Sequence, residues 1–310
     1  MIMGAMNETE LLSGHPVNIG TLLRCGEAAE ARVAFFRDSG LDSFQIAGVY
    51  EDWLAPTPEA RRASDALFAL FAKYGMSVPA LFLSYTGQDW DNPEPTVGLL
   101  PAATRSERMV ATCRQMAWAA RYGIRLVSCH AGFVSGERDA AYARFVADMK
   151  PLLRFAAAMG QEFLFETGSE PIDTLLRLMD DIGEPNAGIN FDPANVLIYG
   201  NGNPAEVLEK AGDRIRVVHC KDAVPPAPGA RRGLETPLGR GATDFAALLR
   251  RLLSSGFRGP LVIERELPSG QEREKERDIA EASRFLASNL STFQPFNLST
   301  HRQGHRQCST

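Results

Sequence analysis

Eight short apolar runs, each followed by a stretch of helical periodicity, restrict the folds open to this chain more than any other feature. They cover residues 16–20, 43–47, 78–83, 125–130, 162–166, 188–192, 215–221 and 261–266. Between them, apolar residues recur at i, i+3, i+4 and i+7, most clearly as Phe245, Leu248, Leu249, Leu252, Leu253 and as Met109, Cys113, Met116, Ala117, Ala120. Gly40, Gly75, Gly123, Gly160 and Gly183 stand where such segments give way to the next run, and Thr243 or Asp244 is placed to cap the helix that Gly256 ends. Strands alternating with helices predict a parallel sheet. Eight units without a long polar linker predict one closed (β/α)8 TIM barrel, a single α/β domain, which typically takes about 250 residues. An open doubly wound sheet would carry a Gly-rich phosphate turn, and neither GxGxxG nor GxxxxGK[ST] occurs. In 310 residues this leaves an extension at 1–14, the barrel at 15–290 and a tail at 291–310 that loses periodicity and reads as disordered. His301 and His305 in that tail are set aside from the chemistry.

The charge balance narrows the partners. With 33 basic against 38 acidic residues and a net charge of −5, the chain has no cationic footprint for a polyanion, so nucleic acid is not expected as a partner. A small, carbohydrate-sized molecule is. The cysteines (Cys25, Cys113, Cys129, Cys220, Cys308) form no CxxC pair and suit reduced thiols in a cytoplasmic protein. No basic, then apolar leader opens the chain and no run of about 18 apolar residues occurs, so neither export nor a membrane is expected. Barrel helices facing solvent leave a homo-oligomer compatible with this layout.

From the fourth run onward, each strand ends in a residue able to bind metal or move protons: His130 in RLVSCH, Glu166 in EFLFE, Asp192 in GINFD, His219 in VVHCKD and Glu264 in LVIERE. Strand alternation gives the direction of each. Phe163 and Phe165 point to the helices while Leu164 and Glu166 point to the barrel axis; Asn190 and Asp192 share an inward face, as do Val217, His219 and Lys221, and Val262, Glu264 and Glu266. The intervals agree, being 26 residues from Glu166 to Asp192, 27 to His219 and 45 to Glu264, the last containing a 19-residue loop. One inward polar group per unit at one height is what closes a ring around a cation. Three carboxylates and an imidazole make a mostly hard-oxygen set suited to Mn²⁺, Mg²⁺ or Co²⁺ rather than to a thiolate-preferring soft ion.

The segments FETG, INFDPANVLIYGNG, VVHCKDA, PLGRGATDF and GPLVIERE resemble the sugar phosphate isomerase/epimerase superfamily with its xylose isomerase-like TIM barrel, over roughly residues 15–290. The resemblance implies one divalent metal, often manganese, held by Glu166, Asp192, His219 and Glu264, with Glu166 and Glu264 also acting as the acid/base pair. The expected activity is isomerisation or epimerisation of a sugar through an enediolate, formed when a proton leaves the carbon beside a carbonyl. One departure matters. Many ketose epimerases of this type carry a histidine three residues after the strand-six aspartate, where this chain has Asn195, which binds a hydroxyl but shuttles no proton. His130 is then the candidate acid, and a separate acid permits β-elimination, as in dehydration of a keto-cyclitol or cleavage of a 3-keto-glycoside by a lyase. A non-catalytic sugar-binding barrel is the third reading.

Lys221, Asn195 and Arg240 are the candidate substrate ligands, with Glu266 placed to support Glu264, and with Trp53 and Trp90 able to stack on a sugar ring. Two long connections, 85–104 and 223–241, follow the third and seventh strands and fall on the C-terminal face, where barrels of this kind react; they are lid candidates. Endonuclease IV-like enzymes share the barrel but need a histidine-rich trinuclear zinc cluster. Only His15, His130 and His219 lie within the expected barrel, which excludes that branch.

Overall fold

The alternation of side chains along each strand sorts this sheet into an inner and an outer layer. The computed structural model describes residues 17–292. Within them eight parallel strands pair in a ring: β1 (Ile19–Arg24), β2 (Ser43–Ala47), β3 (Ser77–Phe82), β4 (Leu126–Cys129), β5 (Glu162–Glu166), β6 (Ala187–Phe191), β7 (Ile215–Cys220) and β10 (Leu261–Ile263), which returns to β1. A small antiparallel hairpin, β8 (Asp222–Val224) and β9 (Leu234–Thr236), stands on the connection after β7. The helices are α1 (Glu30–Asp38), α2 (Glu51–Leu54), α3 (Pro58–Lys73), α4 (Ala102–Arg121), α5 (Ala140–Ala158), α6 (Ile172–Ile182), α7 (Pro193–Ile198), α8 (Pro204–Ala211), α9 (Phe245–Ser254) and α10 (Glu272–Ser291). The chain is thus a single-domain (β/α)8 barrel. The 1–14 extension, and the tail beyond Thr292 with His301 and His305, lie outside the described residues.

Parity along the strands works as read. Phe163, Phe165, Ile189 and Phe191 belong to the large core between strands and helices, whereas Ala80, Leu164, Val217 and Val262 form a separate apolar plug inside the ring. Fully burying one such side chain stabilises the fold by about 1.5–3 kcal/mol. The plug fills the lower barrel, so the next inward residue after Leu164 on β5, Val217 on β7 and Val262 on β10 stands at the C-terminal mouth. On α9 the expected face, Phe245 to Leu253, is the buried one.

Two helix readings need correction. On α4 Met116 is buried and Met109 and Cys113 pack half-buried against the core as expected, but Ala117 is exposed and the fully buried face also takes in Arg108, Thr112, Gln115 and Ala119. Its polar members are satisfied by the connection after β3: Arg108 Nη1 donates to the Gly98 carbonyl (2.7 Å), and Gln115 bonds both the N–H (3.0 Å) and the carbonyl (2.9 Å) of Ser84. Hydrogen bonds to loop backbone let a polar face be buried. At α9, Asp244 is the N-cap residue but sits at φ 49° with no capping hydrogen bond from its side chain. Thr243 is diverted too, its hydroxyl donating to Asp222 at 2.8 Å.

That Asp222 carboxylate pins the return of the 223–241 connection, accepting from the N–H groups of Gly239 (3.0 Å), Gly241 (2.9 Å) and Thr243 (3.1 Å). A Cβ on Gly241 would lie 2.2 Å from Asp222 Oδ1, so the backbone approaches where only glycine fits. The KDA and GRGAT segments are therefore two halves of one clamp that fixes the loop over the mouth. Among the described residues no helix is long and apolar enough to cross a membrane.

Candidate functional site

Asp192, Pro193 and Asn195 show how local sequence builds the site. Asp192 caps α7, Oδ1 accepting from the Asn195 N–H at 2.9 Å, and Pro193 at the first helical position loses no hydrogen bond there. Oδ2 is left aimed at the barrel axis with no hydrogen-bond partner among the described residues. Asn195, one turn in, reaches back toward Glu166, its Nδ2 3.4 Å from Oε1. Gly168 makes this approach feasible, since at φ +122° its absent Cβ would lie 2.4 Å from that of Asn195.

Glu166, Asp192, His219 and Glu264 converge, with one ligand atom of each within 4.8 Å of the others. His219 Nδ1 is the focus, 3.0 Å from Glu166 Oε1, 3.1 Å from Glu264 Oε2 and 3.8 Å from Asp192 Oδ2. The other ring nitrogen sets the tautomer. Nε2 lies 2.7 Å from Gln45 Oε1, and Gln45 Nε2 in turn donates to Ser128 Oγ at 2.9 Å. Asn190 Nδ2 lies 3.0 Å from the same Nε2; with Nε2 donating to the Gln45 oxygen, a neutral ring keeps its Nδ1 lone pair for a cation, while without a cation the facing carboxylates favour the charged ring. Buried, partnerless Nδ1 and Asp192 Oδ2 beside two more carboxylates fit a divalent cation.

Around this quartet two charged pairs differ in kind. His130 Nε2 lies 2.9 Å from Glu166 Oε2. Lys221 Nζ, almost fully buried, donates to Glu264 Oε2 (3.2 Å) and Glu266 Oε2 (2.8 Å), and lies 3.8 Å from Asp192 and 3.9 Å from Glu235. It does not pair with Asp222, which is spent on the loop. Burial alone would raise the Glu166 and Glu264 carboxyls. The charges of His130 and His219 instead hold Glu166 at about 2, and those of Lys221 and His219 hold Glu264 well below the ordinary range. Burial disfavours charge on His130 and His219 as well, yet the facing glutamates outweigh it and raise both. Asp192, where burial dominates, is raised.

The cavity over the quartet has a volume of about 250 Å³, bordered by His130, Asn195, Lys221 and Glu264 below and by Trp90, Tyr199 and Arg232 above. Trp90 packs edge-on against His130, ring centres 5.0 Å apart. Arg232 ties the two lid connections together, donating to the Trp90 carbonyl (3.1 Å) and the Tyr199 hydroxyl (2.9 Å). Trp53 is elsewhere, in a groove beside Arg114 on the outer wall. Arg240 is also elsewhere: exposed, it meets Glu281 of α10 at 3.4 Å and does not border the cavity, whereas Arg232 does. Tyr199 follows Asn195 by four residues on one face of a helical turn, a signal that reading the DPAN motif alone overlooks. Gln45, inward between outward Phe44 and Ile46, was open to the same parity argument as the ligands.

Glu170, on the connection after β5, is buried with Oε2 unpartnered. Burial pushes its carboxyl from 4.5 up to about 8, against the pull of His130 and a backbone hydrogen bond from Val134. A carboxyl raised in the folded state favours folding below its unfolded value and costs stability as pH rises toward the folded one. Glu170→Gln is therefore expected to stabilise the protein by about 2–4 kcal/mol at pH 8, with the gain gone near pH 4. Urea unfolding at the two pH values measures this, and an equal effect at both would contradict it.

A family model described as the xylose isomerase-like TIM barrel matches residues 33–289. A solved xylose isomerase domain protein from Planctomyces limnophilus is 32% identical, superposes with a TM-score of 0.77 and aligns over 88% of this chain and 96% of its own. Two curated relatives match over shorter segments. An inosose dehydratase of Clostridium botulinum (strain Alaska E43 / Type E3) is 29% identical over 134 residues, 38% of this chain and 45% of that one. An L-ribulose 3-epimerase of Methylomonas sp. (strain DH-1) is 31% identical over 133 residues, 39% of this chain and 41% of that one. The chain thus spans less than half the length of these two relatives, and both are enzymes.

Proposed function

Because the chain belongs to the family of xylose isomerase-like TIM barrels, we propose that it is a divalent-metal-dependent sugar isomerase or epimerase that moves a proton at the carbon beside a carbonyl. The observation that carries this is the convergence of Glu166, Asp192, Glu264 and His219 Nδ1 on one point below a cavity of sugar-ring dimensions. Mn²⁺ is the ion the set suits best, with Mg²⁺ and Co²⁺ as alternatives. When bound, the cation supplies positive charge against the oxyanion that forms as the C–H bond breaks.

The rest is done by the chain. Glu166 or Glu264 takes the proton as a carboxylate, the C–H electron pair becomes the C=C bond of the enediolate while the carbonyl π pair moves onto oxygen, and the other glutamate returns a proton. Return to the opposite face of the same carbon epimerises; return to the former carbonyl carbon isomerises. Asn195 and Lys221 border the cavity and orient hydroxyls, while Trp90 and Arg232 exclude water.

A second reading rests on the contact of His130 with Glu166. An imidazole held charged by that carboxylate can protonate a departing hydroxyl or glycosyl oxygen after the same first step, which makes a dehydratase or lyase. The chain's likeness to an inosose dehydratase supports this reading as its likeness to a ribulose epimerase supports the first.

The test is elemental analysis of the purified protein, then incubation with ketoses, inososes and 3-keto-glycosides in ²H₂O. Deuterium in an isomerised sugar supports the primary reading; a new double bond or a released aglycone supports the second; no exchange in any substrate sinks both. Gln45 offers a readout independent of turnover. Gln45→Leu is expected to weaken Mn²⁺ binding about 10–100-fold in calorimetric titration, because His219 is then free to present a protonated Nδ1. Unchanged affinity would remove Gln45 from the site.

A further inference from the structure

Beyond the chamber over the quartet lies a second, larger one. Trp90, Tyr199 and Arg232 border both, so the two form one bent cavity divided by these three side chains. The outer chamber measures about 360 Å³ against about 250 Å³ for the inner. Small-molecule sites usually enclose about 300–1,000 Å³. The inner chamber alone falls short of that range and suits one ring; both together suit two.

The lining of the outer chamber says what kind of second ring. Phe133 packs edge-on to Tyr199 with ring centres 5.6 Å apart, and the Arg232 guanidinium lies 4.7 Å over the Tyr199 ring, giving an aromatic wall with fixed orientation. Ser169, more than nine-tenths buried, borders the chamber with its hydroxyl lacking a hydrogen-bond partner among the described residues. Asp91 and Glu94 also border it, and neither carboxylate makes an ion pair among the described residues. A flat apolar aglycone would desolvate these groups without replacing their hydrogen bonds. Arg231 and Arg232 also border the chamber, so two guanidiniums face two carboxylates and a charged group such as a phosphate meets both signs with no net gain. A neutral pyranose, with apolar C–H faces for the aromatic wall and hydroxyls for Ser169, Asp91 and Glu94, meets both demands.

Resting on the reading of the quartet given above, we propose that the substrate is a glycoside with a second sugar: the keto-sugar ring reacts in the inner chamber and its neighbouring pyranose is held in the outer one by Phe133 and Ser169. The bond between the two rings then passes Trp90, Tyr199 and Arg232.

The test uses the full chain with Mn²⁺, and two probes: 3-ketoglucose, and a glucosyl-glucose disaccharide with its ketone at C3 of the non-reducing ring. Deuterium exchange is expected to be faster for the disaccharide in kcat/KM, and Phe133→Ala to raise the disaccharide's KM about five- to tenfold with little change in its kcat or in either constant for 3-ketoglucose. Equal constants for the two probes, or equal effects of Phe133→Ala on both, overturn the outer subsite while exchange itself upholds the quartet. If neither probe exchanges, calorimetric binding decides: disaccharide binding weakened by Phe133→Ala and by Ser169→Ala keeps the subsite and sinks the reaction, and absence of binding sinks the subsite as well.

Discussion

Glu166→Gln is expected to lower deuterium exchange into a keto-sugar substrate by about 10²–10⁴-fold, the range associated with losing a positioned acid or base. Glu264→Gln is expected to do the same, and the two losses have different causes nearby. Glu166 faces His130 at 2.9 Å and Asn195 at 3.4 Å, so its amide variant leaves an imidazole without the counter-charge that holds it protonated. Glu264 faces Lys221 at 3.2 Å, so its variant removes one of the carboxylates around a buried ammonium. Metal content read alongside exchange separates the two jobs each glutamate is given. A variant that keeps its metal and loses exchange marks a proton-transfer group, whereas one that loses both marks a ligand. Near-normal exchange in either variant would remove that residue from the mechanism.

The parts of this site legible in the sequence are those governed by period two. EFLFE reads directly as β5 with Glu166 inward, because Phe163 and Phe165 must find the helix layer. The same argument places Asp192, His219 and Glu264, although the eighth strand stops at Ile263 rather than 266 and Glu264 stands just past it. Apolar density places the first strand at 16–20, but it runs Ile19–Arg24, where Thr21 looks polar yet is satisfied inside the barrel by donating to the Ile263 carbonyl at 2.8 Å. Arginines of the seventh connection were beyond such rules. Arg232 and Arg240 are alike in sequence context, and only the β8–β9 hairpin decides between them. Gly233 N–H donates to the Ile198 carbonyl at 2.8 Å, which sets Arg232 beside Tyr199, while Arg240 leaves toward α10. Tertiary hydrogen bonds of that kind have no periodic trace.

Lys221→Met tests the other half of the electrostatics and is expected to cost about 3–5 kcal/mol of stability in chelator at pH 8, as breaking one side of a buried ion network does. Four carboxylates face this ammonium, and they are not equally able to escape its loss. Glu266 has a side chain 68% exposed and can turn to water, but Glu264 at 12% and Asp192 at 0% cannot. With the ammonium gone, burial is opposed only by the neighbouring imidazoles, so the Glu264 carboxyl rises from its depressed position and Asp192 rises further. The sign of the pH dependence follows. Carboxyls raised in the folded state cost stability above their unfolded values and nothing below them, so the deficit of the variant shrinks as pH falls toward 4. Excess Mn²⁺ narrows the gap at pH 8 by supplying positive charge to the same carboxylates, and thermal unfolding with and without the ion measures how much. A loss independent of both pH and metal would mean that the Lys221 charge is not what stabilises the barrel, leaving the charge balance at the mouth to His130 and His219.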